Sequence, residues 1–267
     1  MLRTRLWTAI VALPAVIAMV LLAPAVVFNA FIATLAAWGL YEIGAMTHVG
    51  AIEAIALAFS GGLPAGVLFI NAGGPWLAPT LVIGAMTALV IEVGVNGAEN
   101  ALCGGENKYR RAGFVILGAL WVGVLFPYFA FLRNAHNGRA TVVMMLLLVV
   151  ASDSGAYFAG RLIGRKRLAP RVSPNKTVEG AAGGLAACVL AGLVLRGWLT
   201  PGLAGASIAV LALGVGVLAQ LGDLAGSAFK RVAGVKDSGW IFPGHGGLLD
   251  RTCSLVFPVV FTYYYLR

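Results

Sequence analysis

The residues of this chain that can do chemistry crowd into one stretch. It runs from Gln220 to Ser254 and reads QLGDLAGSAFKRVAGVKDSGWIFPGHGGLLDRTCS. The chain holds four aspartates, Asp153, Asp223, Asp237 and Asp250, and three of them lie here. Among them stand Lys230, Arg231, Lys236 and Arg251, with a glycine loop around His245. Acid this scarce, set among bases and between apolar runs, points to chemistry on an anion that carries a metal ion.

Spacing sharpens that reading. Asp223, Ser227 and Arg231 fall at i, i+4 and i+8, so one helix face would carry a carboxylate, a hydroxyl and a cation, with Lys230 adjacent. Oxygen ligands of this kind suit Mg²⁺, which takes one or two carboxylates and completes its shell with phosphate oxygens and water. Asp250 would supply the second carboxylate from the next helix. The plain alternative is a structural ion pair between Asp223 and Arg231. The loop Pro243-Gly244-His245-Gly246-Gly247 runs into Leu248-Leu249-Asp250-Arg251. Glycines let backbone N–H groups approach phosphate, and a following helix N-terminus favours anions. Such loops also simply turn the chain. His245 is read as loop architecture or a substrate hydrogen bond, ahead of proton transfer.

A second motif lies upstream. Ser152-Asp153-Ser154-Gly155 leads through a basic loop to Ser173-Pro174-Asn175-Lys176-Thr177-Val178-Glu179-Gly180. Ser173 or Thr177 can cap the helix that follows, with Glu179 in its first turn. Lys176 adds a cation at that N-terminus, a ready anion site. Arg165, Lys166 and Arg167 read as cytoplasmic topology charges, with a lipid-headgroup role as the alternative.

These residues must be positioned by helices in a membrane. Hydrophobic residues make up 60% of the chain and charged residues 11%, against roughly 25% charged in soluble domains. The expected class is all-α, a polytopic integral membrane protein with about nine transmembrane helices. They cover approximately 6–23, 25–44, 52–71, 76–96, 113–132, 140–162, 178–198, 203–226 and 252–267. Pro24 divides the first two. The first run is longer than the apolar core of a signal peptide, so a retained helix is expected over cleavage at Ala23-Pro24-Ala25. With the N-terminus in the cytoplasm, fifteen Lys and Arg fall inside and four outside. The net charge of +9 then reflects loop asymmetry and anionic headgroups, not nucleic acid. The three cysteines, Cys103, Cys188 and Cys253, form neither a disulfide framework nor a CxxC site.

Two regions follow: packing helices over 1–133 and a catalytic region over 134–267 whose site faces the cytoplasm. Under this topology Asp153, Glu179, Asp223 and Asp250 share one depth, and ionisable groups in spans normally line a polar cavity. Gly180 and Gly184 are spaced for close helix packing. A transporter would instead place its polar residues near the midplane and show repeats.

The run SAFKRVAGVKDSGWIFPGHGGLLDR closely resembles the signature of the phosphatidate cytidylyltransferases, also called CDP-diacylglycerol synthases. QLGDLAGS, SDSGAYFAGR and SPNKTVEG match as well, and LGALWVGV with Leu132-Arg133 more loosely. The resemblance is strong over the C-terminal half and rests on hydropathy alone over the N-terminal half. A thinner resemblance is to CTP-dependent polyprenol or phytol kinases. The stronger one implies that CTP and phosphatidate give CDP-diacylglycerol and pyrophosphate, with Mg²⁺ required and a second, monovalent cation left open. It also implies a bacterial plasma-membrane setting among membrane lipids and a homodimer. On matching positions, Asp223 and Asp250 look like metal ligands. Ser227, Lys230, Arg231, Lys176 and Ser173 look like phosphate or substrate contacts. Asp153, Lys236, Asp237, His245, Gly246, Gly247 and Arg251 look like residues that shape the site. One departure stands out: the family pattern continues Asp-Arg-x-Asp, and here the fourth position is Cys253. A thiol is a soft ligand that Mg²⁺ disfavours, so reduced activity is expected.

Overall fold

The computed structural model describes residues 13–46, 79, 82, 108–200, 202–241 and 246–267. The expected span 52–71, all of 76–96 but residues 79 and 82, residues 6–12 of the first span, and His245 fall outside the described residues. The described elements are α1 (Leu13–Leu22), α2 (Ala25–Met46), α3 (Lys108–Leu125), α4 (Pro127–Asn134), α5 (Gly138–Ile163), β1 (Arg167–Ala169), β2 (Ser173–Thr177), α6 (Val178–Leu199), α7 (Gly205–Val232) and α8 (Leu249–Tyr265). Among the described residues, five stretches are long and apolar enough to cross a bilayer: α2, Ile116–Asn134, α5, α6 and α7. Trp198 and Val194 on α6 are 85% and 74% exposed, as side chains facing lipid would be.

Prolines set two of the boundaries. Pro24 has no N–H to continue α1, and the chain restarts as α2. The freed carbonyls are met by Arg133 from the end of α4. Its Nε donates to Val20 O at 3.0 Å and its Nη2 to Ala23 O, and the guanidinium lies 4.8 Å above the Phe28 ring. Pro127 likewise parts α3 from α4, where sequence reading expects one span, and it sits in the first turn of the new helix, where no donor is needed.

The expected all-α class gains one small exception, a two-stranded antiparallel hairpin of β1 and β2. It hangs on the start of α6. The Glu179 carboxylate accepts from the amides of Arg165 (3.0 Å) and Lys166 (3.2 Å), and Thr177 caps the helix by accepting from Gly180 N at 3.1 Å. The hairpin thereby delivers Lys176 to a fixed place beside that helix end.

Small residues bring the C-terminal helices together. A Cβ on Gly184 would lie 2.7 Å from Ser152 O and 3.0 Å from Ala156 Cβ, and one on Gly180 would lie 2.8 Å from Ala156 O. Here α5 and α6 touch backbone to backbone. Gln220 ties α7 to the same helix by donating to Ala181 O at 3.0 Å. Gly184→Leu is therefore expected to cost about 1–3 kcal/mol or more by forcing α5 and α6 apart. A lowered unfolding midpoint of the detergent-solubilised protein checks this, and an unchanged midpoint would show that the helices part freely.

The helix α7 continues past the expected residue 226 to Val232. It ends where Gly234 adopts φ +72°, with Gly234 N donating to Arg231 O (3.1 Å) and Val235 N to Lys230 O (3.0 Å). This pair of bonds satisfies the last carbonyls and needs a left-handed residue. The extension puts Asp223, Ser227, Lys230 and Arg231 on one unbroken helix.

Candidate active site

Two lysine–aspartate pairs, both anchored on α7, form the centre of the site. Asp223 Oδ2 meets Lys176 Nζ at 2.7 Å, across from the end of β2. Seven residues on, Lys230 meets Oδ1 of Asp250, in the first turn of α8. The helices α7 and α8 can come this close because Gly222 and Gly226 face Cys253. A Cβ on Gly226 would lie 2.8 Å from Cys253 Cβ, and one on Gly222 would run into Cys253 O. Cys253 thus fills the seam between the two aspartates. Its Sγ lies 3.7 Å from Asp223 Oδ1 and 3.8 Å from Asp250 O, and the residue is buried.

The two carboxylates are not equivalent. Asp250 is well held: besides Lys230, it accepts at Oδ2 from Ser238 N (2.9 Å) and Gly247 N (2.9 Å), the Ser238 hydroxyl stands 3.1 Å away, and its side chain is 4% exposed. The side chain of Asp223 is 41% exposed and keeps the more open oxygens. Among the described residues, no three His, Cys, Asp or Glu side chains gather as a metal site. Of the two carboxylates, Asp223 is the one whose oxygens are open to a cation.

Other expected residues are distributed around this centre. Asp153 lies within electrostatic reach of Asp223, Lys176 and Arg251. Asp153 and Arg251 also line an open cavity of about 650 Å³ bordered by α1, α2, α4, α5 and α8. On α5 that cavity follows Val142, Leu146, Val149, Val150 and Asp153, one stripe of the helix, with the charge at its far end. Eleven residue steps of ~1.5 Å make the cavity roughly 16 Å long on that side. Its walls from α1, α2 and α4 are apolar, with Phe28, Phe31 and Phe129 prominent, while α8 adds Arg251, Thr252 and Ser254.

Ser227 is half-buried one turn after Asp223. Arg231 does not pair with Asp223 through any contact seen here; its Nη1 donates to Val235 O at 3.1 Å. Lys236 and Asp237 are exposed on the loop that follows α7, and Ser173 opens β2 opposite Ala169. Gly246 has φ +81°, and a Cβ there would strike the Asp250 carboxylate. The amide of Gly247 points to Asp250, a carboxylate of the protein itself.

Sequence reading missed Glu42 and Ser238. Glu42 is 2% exposed on α2, and its carboxylate touches the same loop that holds Asp250. A signal was available, since an acid inside an apolar span is a functional candidate by default. It was passed over because 1–133 read as packing helices.

Fold and site together define a helical membrane protein with a cluster of lysines and aspartates at the meeting ends of its C-terminal helices. The chain belongs to the cytidylyltransferase family, whose model matches residues 3–267. It is 40% identical over 159 residues to the phosphatidate cytidylyltransferase of Bacillus subtilis (strain 168), an alignment covering 59% of each chain. It is 44% identical over 146 residues to the phosphatidate cytidylyltransferase of Brucella suis biovar 1 (strain 1330), covering 54% of this chain and 53% of that one. The chain thus spans 59% and 53% of the lengths of these curated relatives.

Proposed function

We propose that this protein is a CTP:phosphatidate cytidylyltransferase, forming CDP-diacylglycerol and pyrophosphate. The observation that carries the reading is the adjacency of two unlike spaces. An apolar cavity of about 650 Å³ has Asp153 and Arg251 in its wall, and Arg251 adjoins Asp250 of the Lys230–Asp250 pair. A lipid phosphate needs both an apolar bed for its chains and a cationic rim for its headgroup. The names of the relatives agree with this substrate.

In the reaction, an oxygen of the lipid phosphate attacks the α-phosphorus of CTP. The bond from that phosphorus to the β-phosphate bridging oxygen breaks, and pyrophosphate leaves. Such a transfer is driven by positioning and charge neutralisation. Lys176 and Lys230 place cations on either side of the seam between α7 and α8. Asp250, held by the amides of Ser238 and Gly247, fixes the direction of Lys230. Arg251 receives the lipid headgroup, and Ser227 offers a hydroxyl on the Asp223 face. Mg²⁺, held at Asp223 with Asp250 close by, would neutralise the phosphate oxygens and polarise the reacting phosphorus. The full topology of nine spans, with the N-terminus and site on the cytoplasmic side, rests on the fifteen-to-four charge asymmetry.

The test is purified protein in lipid bilayers with radiolabelled CTP, Mg²⁺ and phosphatidate. Labelled CDP-lipid and pyrophosphate are expected in equal amounts. Release of labelled CDP would mark a CTP-dependent lipid kinase, and CTP binding without turnover would mark a non-catalytic relative. Either result overturns the proposal.

A further inference from the structure

Glu42 is the one buried acid among the described residues of the first region, and the mechanism above leaves it without a task. Its Oε1 accepts from Leu248 N at 2.7 Å and Trp38 Nε1 at 3.2 Å. Its Oε2 accepts from Leu249 N at 2.9 Å and Ser238 Oγ at 2.8 Å. All four partners are donors, so the site calls for acceptors at both oxygens, which a carboxylate offers and an amide does not. Two of the donors are N–H groups at the start of α8, where no residue of that segment caps the helix through its own side chain. The loop before α8 is built around the same group. A Cβ on Gly239 would lie 2.7 Å from Glu42 Oε1, and one on Gly247 would lie 2.6 Å from Oε2.

Ser238 joins this carboxylate to the site. Its hydroxyl stands 2.8 Å from Glu42 Oε2 and 3.1 Å from Asp250 Oδ2, while its amide donates to Asp250 at 2.9 Å. We propose that Glu42 is a positioning residue: from α2 it clamps Ser238 and the first turn of α8, so that Asp250 meets Lys230 in the geometry the transfer needs. The clamp places part of the active-site support outside the motif-bearing half. Its catalytic meaning rests on the proposed cytidylyl transfer; its structural part does not.

The test uses the full chain in bilayers, comparing wild type with Glu42→Gln and Ser238→Ala by hydrogen exchange and steady-state kinetics. Gln keeps the shape and turns an NH₂ toward at least one donor. Exchange at the Leu248 and Leu249 amides is expected to quicken in Glu42→Gln, with α5 and α6 unchanged. A displaced Lys230 hurts the transition state more than binding, so kcat per folded protein should fall at least about tenfold while KM for CTP stays within about threefold. Ser238→Ala cuts the link and leaves the helix cap, so kcat should drop with exchange at Leu248 and Leu249 near wild type. Unaltered exchange in Glu42→Gln overturns the clamp. Quickened exchange with unaltered kcat reduces Glu42 to a structural role and overturns the positioning claim. If Glu42→Gln does not fold, Ser238→Ala decides: an unchanged kcat overturns the proposal. If wild type makes no CDP-lipid, the function falls, and the exchange arm still decides the clamp.

Discussion

Asp223→Asn is expected to lower cytidylyl transfer about a thousandfold or more while the protein stays folded. The contrast in magnitudes decides between two roles. The Lys176–Asp223 pair has side chains 26% and 41% exposed, and ion pairs this open contribute about 0–1 kcal/mol to stability. A thousandfold loss in rate corresponds to roughly 4 kcal/mol in the barrier, which loss of such a pair cannot supply. The substitution keeps the side-chain volume and removes only the charge and one acceptor. Turnover in the CTP, Mg²⁺ and phosphatidate assay, together with the unfolding midpoint, separates the two. Activity within about tenfold of wild type, with a slightly lowered midpoint, would leave Asp223 as a structural partner of Lys176.

Cys253→Asp is expected to raise turnover at least about tenfold, because it adds a hard oxygen ligand where a thiol now stands. The geometry gives this change a second signature. Cys253 Sγ lies 3.7 Å from Asp223 Oδ1 in a buried seam. A carboxylate there would face Asp223 at about 4 Å, a repulsion of about 4 kcal/mol at an effective dielectric of 20. A divalent cation between the two would turn that repulsion into attraction. The variant should therefore unfold at a lower temperature than wild type in chelator and recover in millimolar Mg²⁺. Equal turnover of the two forms, or a midpoint that ignores Mg²⁺, would show that this seam does not hold the cation.

Much of the site was legible along the chain because acids are scarce in it. Asp223, Asp250, Lys230 and Lys176 were singled out from type and spacing, and all four stand in the two ion pairs. Arg231 has the i+8 spacing that shares a helix face with Asp223, and the left-handed turn at Gly234 brings Val235 O within reach of its guanidinium. Gly247, which the glycine pattern places near a phosphate, directs its amide at Asp250. The hairpin that carries Lys176 was read as a basic loop, because strands this short have no repeating pattern.

The amino-acid sequence by itself determined the helical membrane class, the end of the chain that carries charge, and which residues share a helix face. Those follow from local properties: apolar run length, proline position and the 3.6-residue period. Only the tertiary structure decided which charges meet across helices. Glycine gaps at Gly222 and Gly226 set how closely α7 meets α8, and so put Cys253 against Asp223. The approach of α2 brings Glu42, more than two hundred residues away in sequence, onto the amide of Leu248. Contacts between helices depend on relative depth and rotation, which the packing of the whole bundle sets and no single segment contains.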